Sequence, residues 1–154
     1  MTESEVQVAI RRAFEDSTRP DDDELIEHDC EDCSDLQQDF GGQTWQAIDR
    51  TTIRKHFNDL PLFTAPAFQY FLPAYLVESF EPNDSEVWEF TFYSLYESRD
   101  ETRDERWGGF SADQIEAILA LLRLKLEAAE GFQREDIPIA IRMWERQLRE
   151  LGER

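Results

Sequence analysis

The chain has 154 residues, 40% of them hydrophobic and 12% aromatic, and carries a formal net charge of −19 from 35 acidic and 16 basic residues. This apolar content is enough for one core and excludes a wholly disordered chain. The negative charge repels nucleic-acid phosphate and anionic lipid, so we expect neither direct nucleic-acid binding nor membrane association.

The start of the chain and its cysteines indicate a compartment. Residues 1–5 are acidic rather than a basic and apolar leader, and no apolar run reaches the roughly 20 residues that span a bilayer. The two cysteines, Cys30 and Cys33, are too few for the disulfide framework of a small secreted domain. We therefore expect a cytoplasmic protein with reduced cysteines.

The first third of the chain predicts helices on either side of an acidic loop. Thr2 and Glu5 have the spacing of a capping box, and the apolar residues that follow predict a helix over about residues 3–16. Residues 17–29 concentrate acidic side chains without periodicity, so we expect a surface loop there. Apolar intervals of three and four residues predict a second helix over 30–40.

The segment from Thr64 to Phe80 is apolar on every helical face, which predicts a central helix that other elements surround. Thr64 suits the N-cap of this helix, and Pro66 suits its first turn. Pro73 falls in the helix interior, where it predicts either a kink or a break into two pieces. A short helical stripe from Ile53 to Leu60 precedes this segment.

The second half predicts further helices and one ambiguous segment. Residues 86–97 alternate as a strand does but fit a helix equally well; we favour a helix, with minor β structure as the alternative, because no second strand is available to pair with the segment. Residues 98–109 predict a charged linker. Ser111 opens a helix that ends near Gly131, and a final helix is expected within residues 132–154. The fold class is all-α, a single domain over 1–154 with about six helices.

Several short motifs resemble those of a family of bacterial proteins of unknown function, and the central one is Ala-Phe-x-Tyr-x-Leu-Pro-Ala-Tyr-Leu. In this chain that motif runs from Ala67 to Leu76. The other matching residues are Ala13, Phe14, Pro20, Asp21, Asp22, Cys33, Phe40, Gly42, Trp45, Phe110, Ser111 and Gln114. The resemblance covers about residues 9–126, implies no activity, and leaves the C-terminal helix as a departure from the family.

The sharpest candidate for chemistry is the run His28, Cys30 and Cys33. Two thiolates and an imidazole suit tetrahedral Zn²⁺, with His56, a carboxylate or water as the fourth ligand. Glu31 would be the base of an open, catalytic zinc site. The alternative, which we favour, is that both cysteines are small buried core residues. A redox dithiol is a third interpretation, although the acidic neighbours raise the pKa of a thiol.

The acidic loop is the second candidate. Asp21, Asp22, Asp23 and Glu24 offer oxygen ligands to Ca²⁺ or Mg²⁺, but the glycine that bends a typical calcium loop is missing, so a solvated loop is the favoured interpretation. Together with Glu27 they also form a face that suits a basic protein partner. Residues 1–39 hold 14 acidic and 3 basic residues, a net charge of −11, whereas residues 98–154 hold 13 and 10, a net charge of −3.

No nucleophile elbow or phosphate loop accompanies the two histidines, so we expect no catalytic residues. The function that the sequence favours is a non-enzymatic, cytoplasmic bacterial protein that binds a basic protein, as an immunity protein, an antitoxin or a mimic of nucleic acid does. The alternative is a zinc-binding domain or zinc-dependent enzyme built on His28, Cys30 and Cys33.

Overall fold

The computed structural model describes residues 1–80, 85–97 and 99–153. Within these residues the chain forms eight α-helices and no strand, with one isolated antiparallel bridge between Ile26 and Phe63. The all-α prediction is confirmed, and about six helices was an undercount. The helices are α1 (Glu3–Ala13), α2 (Glu31–Phe40), α3 (Arg50–Lys55), α4 (Ala65–Glu78), α5 (Ser85–Ser94), α6 (Asp100–Trp107), α7 (Ala112–Glu127) and α8 (Phe132–Gly152).

The chain divides into two compact units. Unit 1 contains Met1–Glu15 and Leu95–Arg154, and unit 2 contains Asp16–Ser94. The helices of unit 1 are α1, α6, α7 and α8, and those of unit 2 are α2 to α5. Each unit has its own buried apolar residues, and the single domain that the sequence predicts over 1–154 stays a prediction.

The core of unit 2 is built on α4. Every residue from Tyr70 to Leu76 is buried, so two turns of this helix are covered on all sides. The ring of Phe71 lies 5.0 Å from that of Phe40 and 5.3 Å from that of Phe63, centroid to centroid. Because the middle of this helix is covered on every face, the central burial that the sequence predicts is confirmed for that part of it.

The ends of α4 follow the sequence closely. Thr64 is the N-cap, its hydroxyl oxygen accepting from the Ala67 amide at 3.3 Å, and Pro66 lies in the first turn. The helix continues through Pro73 to Glu78, so a break into two pieces is wrong, while the kink stays a prediction. Burial on all faces stabilises the helix enough to tolerate one missing N–H donor.

For the ambiguous segment over residues 86–97, the structure shows a helix. Helix α5 covers Ser85–Ser94, and the alternative of β structure there is wrong. Trp88 and Phe92 are buried on its inner face, whereas Phe90 and Tyr93 are 38% and 56% exposed. The aromatic enrichment therefore reflects one buried side of a helix rather than a strand.

Unit 1 packs α7 against both α1 and α8. Both predicted capping boxes are present, at Thr2 with Glu5 on α1 and at Ser111 with Gln114 on α7. The rings of Trp107 and Trp144 stack with centroids 3.9 Å apart, and the Trp144 indole N–H donates to the carbonyl of Leu95 at 2.9 Å. These two tryptophans form the centre of the unit, since both are fully buried.

The expectation of a charged linker over residues 98–109 is wrong, because helix α6 occupies Asp100–Trp107. Trp107 is the only apolar side chain of this helix, so no periodic apolar pattern predicts the helix from the sequence. Its burial against Trp144 and an ion pair between Arg103 and Asp100 at 2.5 Å hold the turn in place. The predicted last helix is confirmed as α8; Ser98 and Arg154, at the edges of these two segments, lie outside the described residues.

Among the described helices, none combines the length and the apolar character that crossing a bilayer requires.

Replacing Phe71 by Ala tests whether α4 is the core of unit 2. We expect Phe71→Ala to lower the free energy of unfolding by about 3–5 kcal/mol, because it removes a ring packed on all sides. Phe132→Ala is the matched control, since Phe132 is 87% exposed, and should change stability by less than about 0.5 kcal/mol. Chemical denaturation followed by circular dichroism measures both, and equal losses in the two variants would contradict the assignment.

Candidate functional site

The acidic loop keeps a defined shape. Asp21 has an extended backbone and precedes a single 3₁₀ turn, Asp22–Glu24. The carboxylates of Asp21, Asp23 and Glu24 lie within 4.8 Å of one another and are exposed, as is Glu27. These four residues and Asp22 form what we call the acidic face.

Asp22 differs from its neighbours because its carboxylate bonds to other groups of the protein, although its side chain is 55% exposed. Its Oδ1 accepts from the Gly42 amide at 3.0 Å and pairs with Arg19 Nη2 at 2.7 Å. These contacts, first the Gly42 amide and then the Arg19 guanidinium, lower the pKa of Asp22 below its ordinary value of 3.8. Gly42 has a φ of +71°, a conformation that a side chain would strain. Asp22 therefore fixes the loop, and its charge is already paired with that of Arg19.

Arg19 holds the other side of the same loop. Its guanidinium donates from Nε to the carbonyl of Gln43 at 2.7 Å and from Nη2 to the carbonyl of Phe40 at 3.1 Å. It also lies over the ring of Phe71, 5.8 Å from the centroid. One cation thus ties the loop to the end of α2 and to the central helix, using the fixed fork of donors that arginine offers.

A third attachment joins the loop to the start of α4. The Thr64 hydroxyl donates to the carbonyl of Glu24 at 2.7 Å, and the Thr64 amide donates to the carbonyl of Leu25 at 2.9 Å. Leu25 is fully buried directly after the last carboxylate of the turn. The acidic face is therefore exposed on a backbone that is held at both ends.

Neither Arg19 nor the second role of Thr64 was predicted from the sequence. A signal for Arg19 exists: it is the only lysine or arginine between Arg12 and Arg50, in the most acidic part of the chain. Asp22, its ionic partner, is three residues away, but the carbonyls of Gln43 and Phe40 are more than 20 residues away in the chain, and no local pattern reveals those contacts. Thr64 was predicted only as a helix cap.

Three clustered carboxylates have two chemical uses. They are close enough to share one hard cation, although exposed acidic groups commonly lie together without one. They also present concentrated negative charge to the ammonium and guanidinium groups of another molecule. The structure brings together Asp21, Asp23 and Glu24, whereas Asp22 pairs with Arg19 and Glu27 is exposed but not part of this cluster.

Replacing Asp22 by Asn tests its structural role. We expect Asp22→Asn to lower the melting temperature near neutral pH, because the ion pair with Arg19 is lost. Since the pKa of Asp22 is lowered on folding, its contribution is complete above pH 3.8 and disappears as the pH falls through the lower folded value. Thermal melts of the wild type and the variant should therefore converge in acid. Asp23→Asn, at an exposed carboxylate outside these contacts, should melt near the wild-type temperature, and an equal loss in both variants would contradict the assignment.

The second candidate site lies at the start of α2. Cys30 is the N-cap and Cys33 the third residue of the helix, and the structure joins them in a disulfide. The expectation of reduced cysteines is therefore wrong, and the expectation of buried core cysteines is confirmed for Cys33 but wrong for Cys30. Cys33 is buried, but Cys30 is exposed because an extended N-cap residue lies off the helical face. In this state neither sulfur is a thiolate, so the zinc prediction with His28 applies to the reduced protein and stays a prediction.

His56, considered as a fourth zinc ligand, has other partners. Its Nδ1 lies 2.7 Å from a carboxylate oxygen of Asp59 and its Nε2 lies 2.7 Å from one of Asp39. The ring is buried, and the hydroxyl of Tyr75 donates to the His56 carbonyl at 2.9 Å. Both ring nitrogens thus lie against carboxylates, and His56 connects α2, α3 and α4.

A family model matches residues 2–148, nearly the whole described chain. The chain belongs to DUF6714, a family of unknown function. No curated protein and no solved structure matches it. The resemblance seen in the sequence is thus confirmed at the level of the family.

The extent of the DUF6714 match corrects one expectation. The resemblance was placed over about residues 9–126, with the last helix as an addition. The match instead includes residues 132–148, which form most of α8. The packing of α8 against α7 and the stacking of Trp144 on Trp107 show why: this helix completes the core of unit 1.

Proposed function

We propose that this protein is a non-enzymatic, cytoplasmic bacterial protein that binds a basic protein partner through its acidic face. The observation that carries the proposal is the clustering of the Asp21, Asp23 and Glu24 carboxylates within 4.8 Å on an anchored loop. Like charges held so close repel one another, and a cationic partner relieves that repulsion. Lysine and arginine side chains are the groups that fit.

Preorganisation supports this proposal. A flexible acidic loop would lose conformational freedom on binding, and that loss would offset part of the electrostatic gain. Here Arg19, Asp22 and Thr64 hold the backbone before any partner arrives. The loop is therefore already ordered by folding. Little conformational entropy is lost on binding, so the electrostatic attraction of the exposed carboxylates is not offset by that loss.

The surroundings of the loop extend the same charge. Glu31, Asp32 and Asp35 on α2 are exposed in the same unit. A broad negative field of this kind accelerates encounter with a basic molecule and weakens as salt is added. An immunity protein or antitoxin that blocks a cationic nuclease, or a protein that mimics nucleic acid, uses that field, and we propose these as versions of the function.

Reversing three charges of the acidic face tests the proposal. The face variant combines Asp21→Lys, Asp23→Lys and Glu24→Lys and keeps Asp22, which the fold needs. The control variant combines Glu116→Lys, Glu127→Lys and Glu130→Lys at exposed positions of unit 1, so its net charge changes equally. We expect wild type and control to recover the same basic protein from the source cells, and the face variant to lose it. Affinity capture at low salt with quantitative mass spectrometry measures this, followed by titration with the purified partner.

Two outcomes would contradict the acidic-face proposal. In the first, the face variant recovers the same proteins as the wild type. In the second, the control loses the partner as completely as the face variant, which would show that net charge alone governs binding. Melting temperatures of both variants distinguish lost binding from unfolding.

The second candidate is a zinc site in the reduced protein. It is supported by the proximity of Cys30 and Cys33, whose Cα atoms are 4.9 Å apart, and by His28, which lines the same groove as Cys33. We expect fully reduced protein, purified without a histidine tag, to bind close to one equivalent of zinc if this candidate is right. Less than about a tenth of an equivalent by elemental analysis would end it.

A further inference from the structure

The disulfide between Cys30 and Cys33 is poorly explained as a structural brace. The two residues are three positions apart. A disulfide stabilises a fold mainly by restricting the unfolded chain, and this restriction is smallest for the shortest loops. Thr64, Arg19 and Asp22 already hold the adjoining loop without it. A chemical role accounts for the pair better than a mechanical one.

The two sulfurs differ in access. Cys30 is exposed at the N-cap of α2, whereas Cys33 is 2% exposed in the first turn. The Cys33 amide donates to Cys30 Sγ at 3.0 Å, so a backbone N–H points at the sulfur that solvent reaches. An incoming thiolate can therefore reach Cys30, and the helix N-terminus stabilises negative charge there.

The surface beside the disulfide selects among incoming thiols. An open groove of about 440 Å³ adjoins Cys33 and is lined by Ile26, His28, Asp29 and Gln37. Asp29, Glu31 and Asp32 are all exposed around the pair. Their carboxylates repel an anionic thiol and attract a cationic one. Both interactions weaken as the salt concentration rises.

We propose that Cys30 and Cys33 form a thiol–disulfide exchange site that reacts with a dithiol whose sulfurs lie beside positive charge. One thiolate of the dithiol attacks Cys30 Sγ; the bond between the two cysteines breaks, and Cys33 leaves with the electron pair and takes up a proton. The second thiolate of the dithiol then attacks the first sulfur of the same dithiol, which is bonded to Cys30 in the mixed disulfide. Cys30 leaves and is protonated, so two electrons and two protons pass to this protein and the dithiol becomes a disulfide.

Two small thiols of opposite charge test the electrostatic part. Oxidised full-length protein is treated with cysteamine or with 2-mercaptoethanesulfonate. Each rate is divided by the rate at which the same thiol reduces a neutral small disulfide, which corrects for differences in thiol reactivity. We expect cysteamine to react at least about fivefold faster at low salt, with the preference largely lost near 1 M salt. Quenching with N-ethylmaleimide and mass spectrometry counts the free thiols.

Matched variants make the result specific. Combining Asp29→Asn, Glu31→Gln and Asp32→Asn should abolish the preference for cysteamine, whereas Glu116→Gln, Glu127→Gln and Glu130→Gln together should preserve it. A preference that both variants keep, or equal rates for the two thiols on the wild type, would overturn the electrostatic selection. A protein that still shows two free thiols after mild oxidation would overturn the exchange site itself.

Single cysteine variants test which sulfur is accessible to an outside sulfur, because in each variant the one remaining thiolate attacks the probe. Cys33→Ser retains the exposed Cys30, and Cys30→Ser retains the buried Cys33, so both lose the disulfide equally. With cystamine as the probe, we expect the mixed disulfide to form at least about tenfold faster in Cys33→Ser than in Cys30→Ser. Equal rates, or faster reaction at Cys33, would contradict the assignment of Cys30 as the accessible sulfur.

Discussion

The architecture of unit 2 depends on one constraint, which is that α4 has no face it can leave in water. Every residue from Tyr70 to Leu76 is buried, so neighbouring elements must approach this helix from all directions. The two tyrosines that take part bring polar groups that also need partners. Tyr75 donates to the carbonyl of His56, and the Tyr70 hydroxyl accepts from the Trp45 amide. Burial and hydrogen bonding thus specify the same packing.

That constraint extends to the surface. Thr64 caps α4 and holds the carbonyls of Glu24 and Leu25, while Arg19 lies over Phe71 of the same helix. A strongly acidic turn, which would repel itself in an unfolded chain, is therefore attached to the most buried element of its unit. The stability of the core and the geometry of the proposed binding face are consequently two results of the same contacts.

Features that depend on one helix alone could be predicted from the sequence, whereas contacts between elements distant in the chain could not. The caps at Thr2, Thr64 and Ser111 follow from spacing alone and are confirmed. Helix α6 was not predicted because it is stabilised by one tryptophan, which is buried by a partner far along the chain. The aromatic alternation in α5 fitted a strand as well as the helix that we favoured, and the fold shows that it reflects one buried side of a helix. For the site, composition located the acidic face, but only the fold shows that Asp22 bonds to Arg19 and Gly42.

Native-state hydrogen exchange tests most directly whether the acidic face is held by the core. The amides of Gly42 and Thr64 donate to Asp22 and Leu25, and so report on the two ends of the loop. If the account is right, their protection lies within about tenfold of the protection measured for amides in the middle of α4. Exchange of both amides at the rate of unstructured peptide, while α4 stays protected, would contradict it.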